Sequence, residues 1–393
     1  MSATERRASG AIEILGLPLP ELRRSLGSFL RERGEPEFRI DQIAGWTFAR
    51  NAVRFDEMSN LPAGLRRSLA ESFSLTPLEA AFTSRSSDGT VKHLWVLEDG
   101  EQVESVLIPS GGRITLCLSS QAGCALACRF CATGYFGFRR QLRAAEIAAQ
   151  YRDSLRASLE EFAVPISNVV YMGMGEPLAN LDALLVSLRV LHEGFGLGAR
   201  RITVSTVGLV PGIRALARRP EPFRLAVSLH APNHELRLRL VPVERRHPLP
   251  ELFEALREYH AATRRRITFE YVMIRGLNDD PGLAEELADL LTGLSGFVNL
   301  IPFNPIPEVG WEPAPRDRIE AFARLLGRKG VPAAVRQPRG REIAAACGQL
   351  RLERERAAVE GDHGAPPAAA SRSNATGQAR TETWRGAGMK ARG

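Results

Sequence analysis

Gly123-Cys124-Ala125-Leu126-Ala127-Cys128-Arg129-Phe130-Cys131 carries three cysteines spaced C-x3-C-x2-C. Three thiolates this close can hold three irons of a [4Fe–4S] cube, whereas a cubane held wholly by protein takes four cysteines. No fourth cysteine lies nearby, so one iron stays open to a small molecule, which suits catalysis rather than simple electron carriage. Zinc sites usually recruit C-x2-C pairs or histidines at set spacings. No histidine lies between His93 and His192, so a closed zinc site would lack its fourth ligand. Five cysteines in 393 residues are sparse and odd in number, which argues against a disulfide framework.

Outward from this loop the chain alternates between two periodicities. Short β-branched runs occur at 114–118, 168–172, 202–206, 225–229, 267–274, 298–303 and 333–336. Segments with helical spacing lie between most of them, at 144–159, 181–192, 249–260 and 319–326. That alternation predicts parallel βαβ units. Six or seven units are too few for a closed eight-stranded barrel, so the expected fold is α/β, a partial (β/α)6 barrel over 113–350. Chemistry in such barrels sits just past the strands' C-terminal ends.

Residues 1–90 read as a small helical unit, with Leu22, Leu26, Phe29 and Leu30 at helical spacing and a further helix through Leu65, Leu69 and Phe73. The runs 91–97 and 102–108, joined by Glu98-Asp99-Gly100, predict a β-hairpin connector over 91–112. Residues 351–393, with Pro366-Pro367 and scattered Ser, Gly and Arg, predict a disordered tail.

The formal net charge of +7 permits a polyanionic partner, because neutralised phosphates release counterions. Only Lys92, Lys329 and Lys390 among the 52 basic residues are lysine, so part of the excess reflects compositional bias toward arginine. No apolar run approaches the length of a membrane span, and Met1 to Gly10 lacks a signal-peptide pattern. A cytoplasmic location, with no membrane partner, is expected.

With its flanks, the region 113–150 resembles the cluster loop of radical S-adenosylmethionine (SAM) enzymes, Phe130 standing where an aromatic precedes the third cysteine. The resemblance implies that the amino and carboxylate groups of SAM chelate the open iron. One-electron reduction then splits SAM into methionine and a 5′-deoxyadenosyl radical. Post-strand residues supply the rest of the expected SAM pocket. Gly173-Met174-Gly175-Glu176-Pro177 would let the backbone approach the ligand at Gly175, with Glu176 accepting from the SAM ammonium. Ser205, Ser228-Leu229-His230 and Asn304 complete a ring of groups around one ligand.

Two cysteines remain. Free cysteine usually behaves as a small buried apolar residue. However, the segment Arg339-Gly340-Arg341-Glu342-Ile343-Ala344-Ala345-Ala346-Cys347-Gly348-Gln349-Leu350 resembles the C-terminal signature of the RlmN/Cfr family of radical SAM RNA methyltransferases. Gln42-Ile43, Trp46, Met58 and Leu61-Pro62 are similar to that family's helical N-terminal domain, and the resemblance spans about residues 12 to 352.

The resemblance implies two SAM molecules per turnover. One methylates Cys347, and the second yields a radical that takes hydrogen from the S-methyl group. The methylene carbon then joins an adenine, Glu104 accepts the ring proton, and Cys117 releases the base through a transient Cys117–Cys347 disulfide. The substrates implied for the RlmN branch are 23S rRNA, methylated at adenine C2, and the adenosine 3′ of a tRNA anticodon. An electron donor such as flavodoxin or ferredoxin and a monomeric state are also expected. A C8-methylating Cfr-type enzyme and a non-catalytic iron–sulfur RNA-binding protein are the alternatives. The chain departs from the family pattern at Gln141, His234, Glu244 and Glu342. Position 244 is expected to lie near the RNA path.

Overall fold

The computed structural model describes residues 10–349. The tail expected over 351–393 lies outside these residues.

The N-terminal part is built from β1 (Ile12–Glu13), α1 (Leu19–Arg31), α2 (Arg39–Ala44), α3 (Ala63–Ser72) and β2 (Phe73–Ser74). Pro20 sits in the first turn of α1, where a missing N–H costs nothing. Leu22, Leu26, Phe29 and Leu30 form the buried stripe of α1. A parallel pairing of β1 with β2 closes the unit. Arg152, fully buried, ties the exit of this unit to the body of the protein: it donates to the carbonyls of Leu75 and Thr76 and is paired with Asp153 at 2.8 Å.

Four antiparallel strands follow, β3 (Glu79–Arg85), β4 (Val91–Val96), β5 (Gln102–Ser110) and β6 (Arg113–Cys117). Helical structure in this part ends at Ser72, and β3 is the exposed edge strand. It lacks clean apolar alternation because little of it is buried.

After β6 come β7 (Gln121–Gly123) and β8 (Phe138–Gln141), a short antiparallel pair framing the cysteine loop. The chain then alternates through α4 (Ala144–Phe162), β9 (Ile166–Tyr171), α5 (Leu181–Arg189), β10 (Ile202–Thr206), α6 (Val210–Ala217) and β11 (Arg224–Ser228). It continues with α7 (His234–Leu240), α8 (Leu249–Thr263), β12 (Ile267–Met273), α9 (Pro281–Leu290), β13 (Gly296–Pro302), α10 (Arg316–Arg328) and β14 (Ala333–Val335).

One ten-stranded sheet results, in the order β14-β13-β12-β11-β10-β9-β6-β5-β4-β3. From β6 to β14 all neighbours are parallel, joined by helical crossovers, which is the expected partial barrel extended by an antiparallel wing. The strand period of two divides the residues between core and cavity. On β12, Phe269 and Tyr271 pack in the main core, whereas Glu270 and Val272 line a cavity at the strand ends.

Candidate active site

The cysteine loop is held as a compact lobe. Gly123 (φ +76°) allows the β7–β8 closure: a Cβ there would come 1.9 Å from the Gly137 carbonyl oxygen. The Cys124 N–H donates to that same oxygen at 2.9 Å, and Cys131 N–H donates to the Cys128 carbonyl at 3.1 Å. Cys124, Cys128 and Cys131 line one wall of an open cavity of ≈ 1060 Å³, counted to its mouth. Burial pushes the Cys124 thiol up to about 12 and raises Cys128 and Cys131 as well.

The opposite walls are the strand ends. Gly175, Glu176, Ser205, Ser228, His230 and Asn304 all line the same cavity. Leu229 does not: its side chain is in the main core. Its carbonyl instead accepts from Arg237 Nε at 3.2 Å. Gly175 (φ +96°) brings backbone against Gln121, whose Cβ would lie 2.5 Å from an added Cβ. Glu176 is buried, and burial pushes its carboxyl up to about 7. Its two oxygens accept from Leu178 N at 3.0 Å and Val207 N at 2.9 Å. Remaining lone pairs can accept from a ligand amine, whose positive charge would favour the ionised form.

His230 Nδ1 accepts from Val272 N at 3.1 Å. The ring is therefore the neutral Nε2–H tautomer, with burial pushing its pKa down to about 3. Nε2 is buried with no protein partner, as is Oε2 of Glu270, another residue of this cavity. Two unpartnered polar atoms facing one cavity point to a polar ligand. Phe130 stands edge-on to His230, with ring centroids 4.3 Å apart.

Cys347 lines this cavity and also a smaller one beside it, which contains Cys117 at the end of β6. All five cysteines are free thiols here. Burial pushes Cys117 up to about 12, with the neighbouring Cys347 adding to the effect. Arg336, just past β14, lines both cavities, and the Cys347 sulfur beside it holds its guanidinium firmly protonated. The Cys347 loop is clasped from several sides. Asn304 Nδ2 donates to the Cys347 carbonyl at 3.3 Å, and Asn304 Oδ1 accepts from Arg341 Nε at 3.0 Å. Ala132 N donates to the Gly348 carbonyl at 2.6 Å. Glu342 accepts from the backbone N–H and hydroxyl of Ser87 at 3.0 and 2.8 Å.

Glu104 lies on β5 and is buried. Pairing of Val106 with Cys117 puts Glu104, two residues away, on the same sheet face as Cys117. Its carboxylate is 3.3 Å from Lys92 Nζ.

The departures from the family pattern have local partners. Gln141 accepts from Gln121 Nε2 at 2.9 Å and donates to the Ala179 carbonyl at 2.8 Å. Glu244 is fully buried, so its side chain presents no surface to a partner: it pairs with Arg237 and accepts from His234 Nδ1 and Leu249 N at 2.8 and 2.9 Å. Sequence reading passed over Glu270 and Arg336. A lone carboxylate inside the apolar run 267–274 was the available signal for Glu270. Arg336 offered none in so arginine-rich a chain.

These residues fit a [4Fe–4S] cluster and SAM: three thiols on one wall, backbone approach at Gly175, a buried carboxylate and unpartnered donors and acceptors opposite. Among the described residues no three His, Cys, Asp or Glu side chains gather about one point as ligands of a single ion would. A cubane takes each cysteine on a different iron and so spreads its ligands.

Comparison with known proteins agrees. Residues 118–288 match the model of the radical SAM superfamily, and residues 12–75 match that of the ribosomal RNA large subunit methyltransferase N-terminal domain. A protein of Gemmatimonas aurantiaca named probable dual-specificity RNA methyltransferase RlmN is 50% identical over 331 residues, 84% of this chain and 90% of that one. One of the same name from Synechococcus elongatus is 45% identical, covering 89% and 96%. The crystal structure of a radical SAM methyltransferase from Sphaerobacter thermophilus superposes with a TM-score of 0.82 at 47% identity, over 86% of this chain and 98% of that one. With likeness of this extent over most of its length, the chain belongs to the RlmN family of radical SAM RNA methyltransferases.

Proposed function

We propose that this chain methylates C2 of an adenosine in 23S rRNA and of the adenosine 3′ of the anticodon in tRNA, with Cys347 as methyl carrier. The observation that carries the reading is the placement of Cys347 between two cavities, one holding the three-cysteine wall and the other holding Cys117. A cluster on Cys124, Cys128 and Cys131, with SAM beside it, supplies hydrogen-abstracting radical chemistry when bound.

The protein's own residues do the rest. Glu176 and His230 receive the polar groups of SAM, and Gly175, Ser205, Ser228, Leu229 and Asn304 shape or support that pocket. Cys347 takes up a methyl group as a thioether, its S–C bond forming as the sulfonium–methyl bond of SAM breaks. Adenine C2 has no useful nucleophilicity, so a carrier held beside a radical source is what the substrate demands. Once the carbon is joined to C2, Glu104 accepts the C2 proton, and the unpaired electron that radical addition leaves on the ring would pass to the oxidised cluster, leaving a closed-shell thioether. Cys117, as thiolate, then attacks the Cys347 sulfur. An S–S bond forms, the S–C bond breaks, and the carbon leaves on adenine as a methyl group after taking up one proton. Burial raises the Cys117 pKa, so its proton leaves only as it attacks and can be the one the departing carbon takes up.

The N-terminal unit, helical as far as Ser72, is the proposed RNA-binding part, joined through the antiparallel strands β3, β4 and β5 to the catalytic barrel. Basic charge suits that role. A flavodoxin- or ferredoxin-type donor, a monomeric state and a cytoplasmic setting complete the reading. No described helix is long and apolar enough to cross a membrane.

The test is nucleoside mass spectrometry of a 23S rRNA fragment and of tRNA after anaerobic incubation with reconstituted protein, SAM and a reductant. Formation of 2-methyladenosine is expected in both. Only 8-methyladenosine would mean a Cfr-type activity, and neither product with an intact cluster would refute the assignment.

A further inference from the structure

Lys92 is out of place by composition and by position. It is one of three lysines in a chain whose other basic residues are all arginine, and among the described residues it is the buried one. A buried ammonium is costly unless paired and hydrogen-bonded, so its retention needs a reason. Two partners supply it. Nζ lies 3.3 Å from Glu104 Oε1, both side chains being under 8% exposed (7% and 5%). The same Nζ donates to the Ala344 carbonyl at 3.3 Å. Ala344 lies three residues before Cys347 and adopts φ +46°, a left-handed conformation that a non-glycine residue holds only when its surroundings impose it.

We propose that Lys92 is a positioning residue for methyl transfer, its single ammonium holding Glu104 and the Cys347-bearing loop in fixed relation. This rests on the reading of Glu104 as the group that accepts the C2 proton. The register of β4 with β5 sets Leu94 opposite Glu104 and places Lys92 on that same face, two residues along. The ammonium thus reaches sideways to the base and outward to the loop. A compact ammonium with three tetrahedral donors can serve both acceptors from one point. The planar, longer guanidinium of arginine delivers its donors in a fork and would push the two acceptors apart. That accounts for a lysine in a chain otherwise biased to arginine.

The test uses the full-length, anaerobically reconstituted protein with Lys92→Arg, Lys92→Met and Glu104→Gln in parallel. Three quantities are read: S-methylation of the Cys347 peptide by mass, 2-methyladenosine in RNA, and covalent RNA–protein adduct on denaturing gels. For Lys92→Arg, Cys347 methylation is expected within two-fold of native, 2-methyladenosine at least ten-fold lower, and adduct accumulating as it does in Glu104→Gln. Lys92→Met should behave alike; where it fails to fold, Lys92→Arg decides. Native-level product from Lys92→Arg overturns the proposal. Equal loss of S-methylation and product with no adduct overturns it too, because that is the mark of a purely structural residue. Normal turnover by Glu104→Gln would instead refute the underlying reading of the base, a pattern distinct from normal Lys92 variants beside a stalled Glu104→Gln.

Discussion

Cys117 and Cys347 both line one small cavity although the whole parallel barrel separates them along the chain. Cys117 ends β6, and Cys347 arrives on the segment after β14, the far edge of the same sheet. The two thiols are brought together because that segment crosses back over the strand ends, anchored on Asn304, Ala132 and the Ser86–Ser87 turn.

Removing either thiol should stop the reaction at a different point. Cys347→Ala is expected to lower 2-methyladenosine to background with no adduct, since no carrier forms. Cys117→Ala should leave RNA covalently attached to the protein, seen as a slow-migrating band on a denaturing gel that collapses on nuclease treatment.

The three-cysteine wall makes a separate prediction. Substituting Ala for any of Cys124, Cys128 or Cys131 should remove the iron–sulfur charge-transfer absorbance and bring methylation to background. Chelation of iron from the native protein should do the same. Thermal unfolding of the metal-free protein is expected to remain cooperative, because β7, β8 and the barrel are hydrogen-bonded without it.

Glu244 and Arg237 are both fully buried and paired with each other. Glu244→Ala would leave a buried guanidinium without a counter-charge, a loss of about 3–5 kcal/mol. His234→Ala removes only a partner that is itself 59% exposed and should cost under about 1 kcal/mol. Denaturant midpoints of the two variants check the difference.

His93 sets an acid limit on stability. It is buried against Trp95, and burial followed by the nearby Arg85 pushes its pKa from 6.5 down to about 4. Above pH 6.5 the ring is neutral in both folded and unfolded chain, and no penalty arises. As pH falls from 6.5 toward 4 the unfolded chain takes up the proton first, costing the fold up to about 3 kcal/mol. His93→Phe should lose less stability than native between pH 7 and pH 4.5, as read from denaturant midpoints at each pH.

Much of this was readable from local pattern. The run 202–206 became β10 (Ile202–Thr206), and the run 267–274 became β12 (Ile267–Met273), because apolar residues recur at every second, core-facing position: Ile202 and Val204 in one, Ile267, Phe269, Tyr271 and Met273 in the other. The edge strand β3 and the three- and four-residue strands β7 and β8 were not readable, being too exposed or too short for periodicity to register.

The spacing of Cys124, Cys128 and Cys131 is a short-range property, so it declared its chemistry without a fold, and the C-terminal segment declared its family. What required the fold was every relation across the sheet: Cys117 beside Cys347, Lys92 between Glu104 and Ala344, Glu244 buried on Arg237. Such contacts join residues tens to hundreds of positions apart, or set the burial of a charge. Both depend on strand order and register, which local periodicity does not encode.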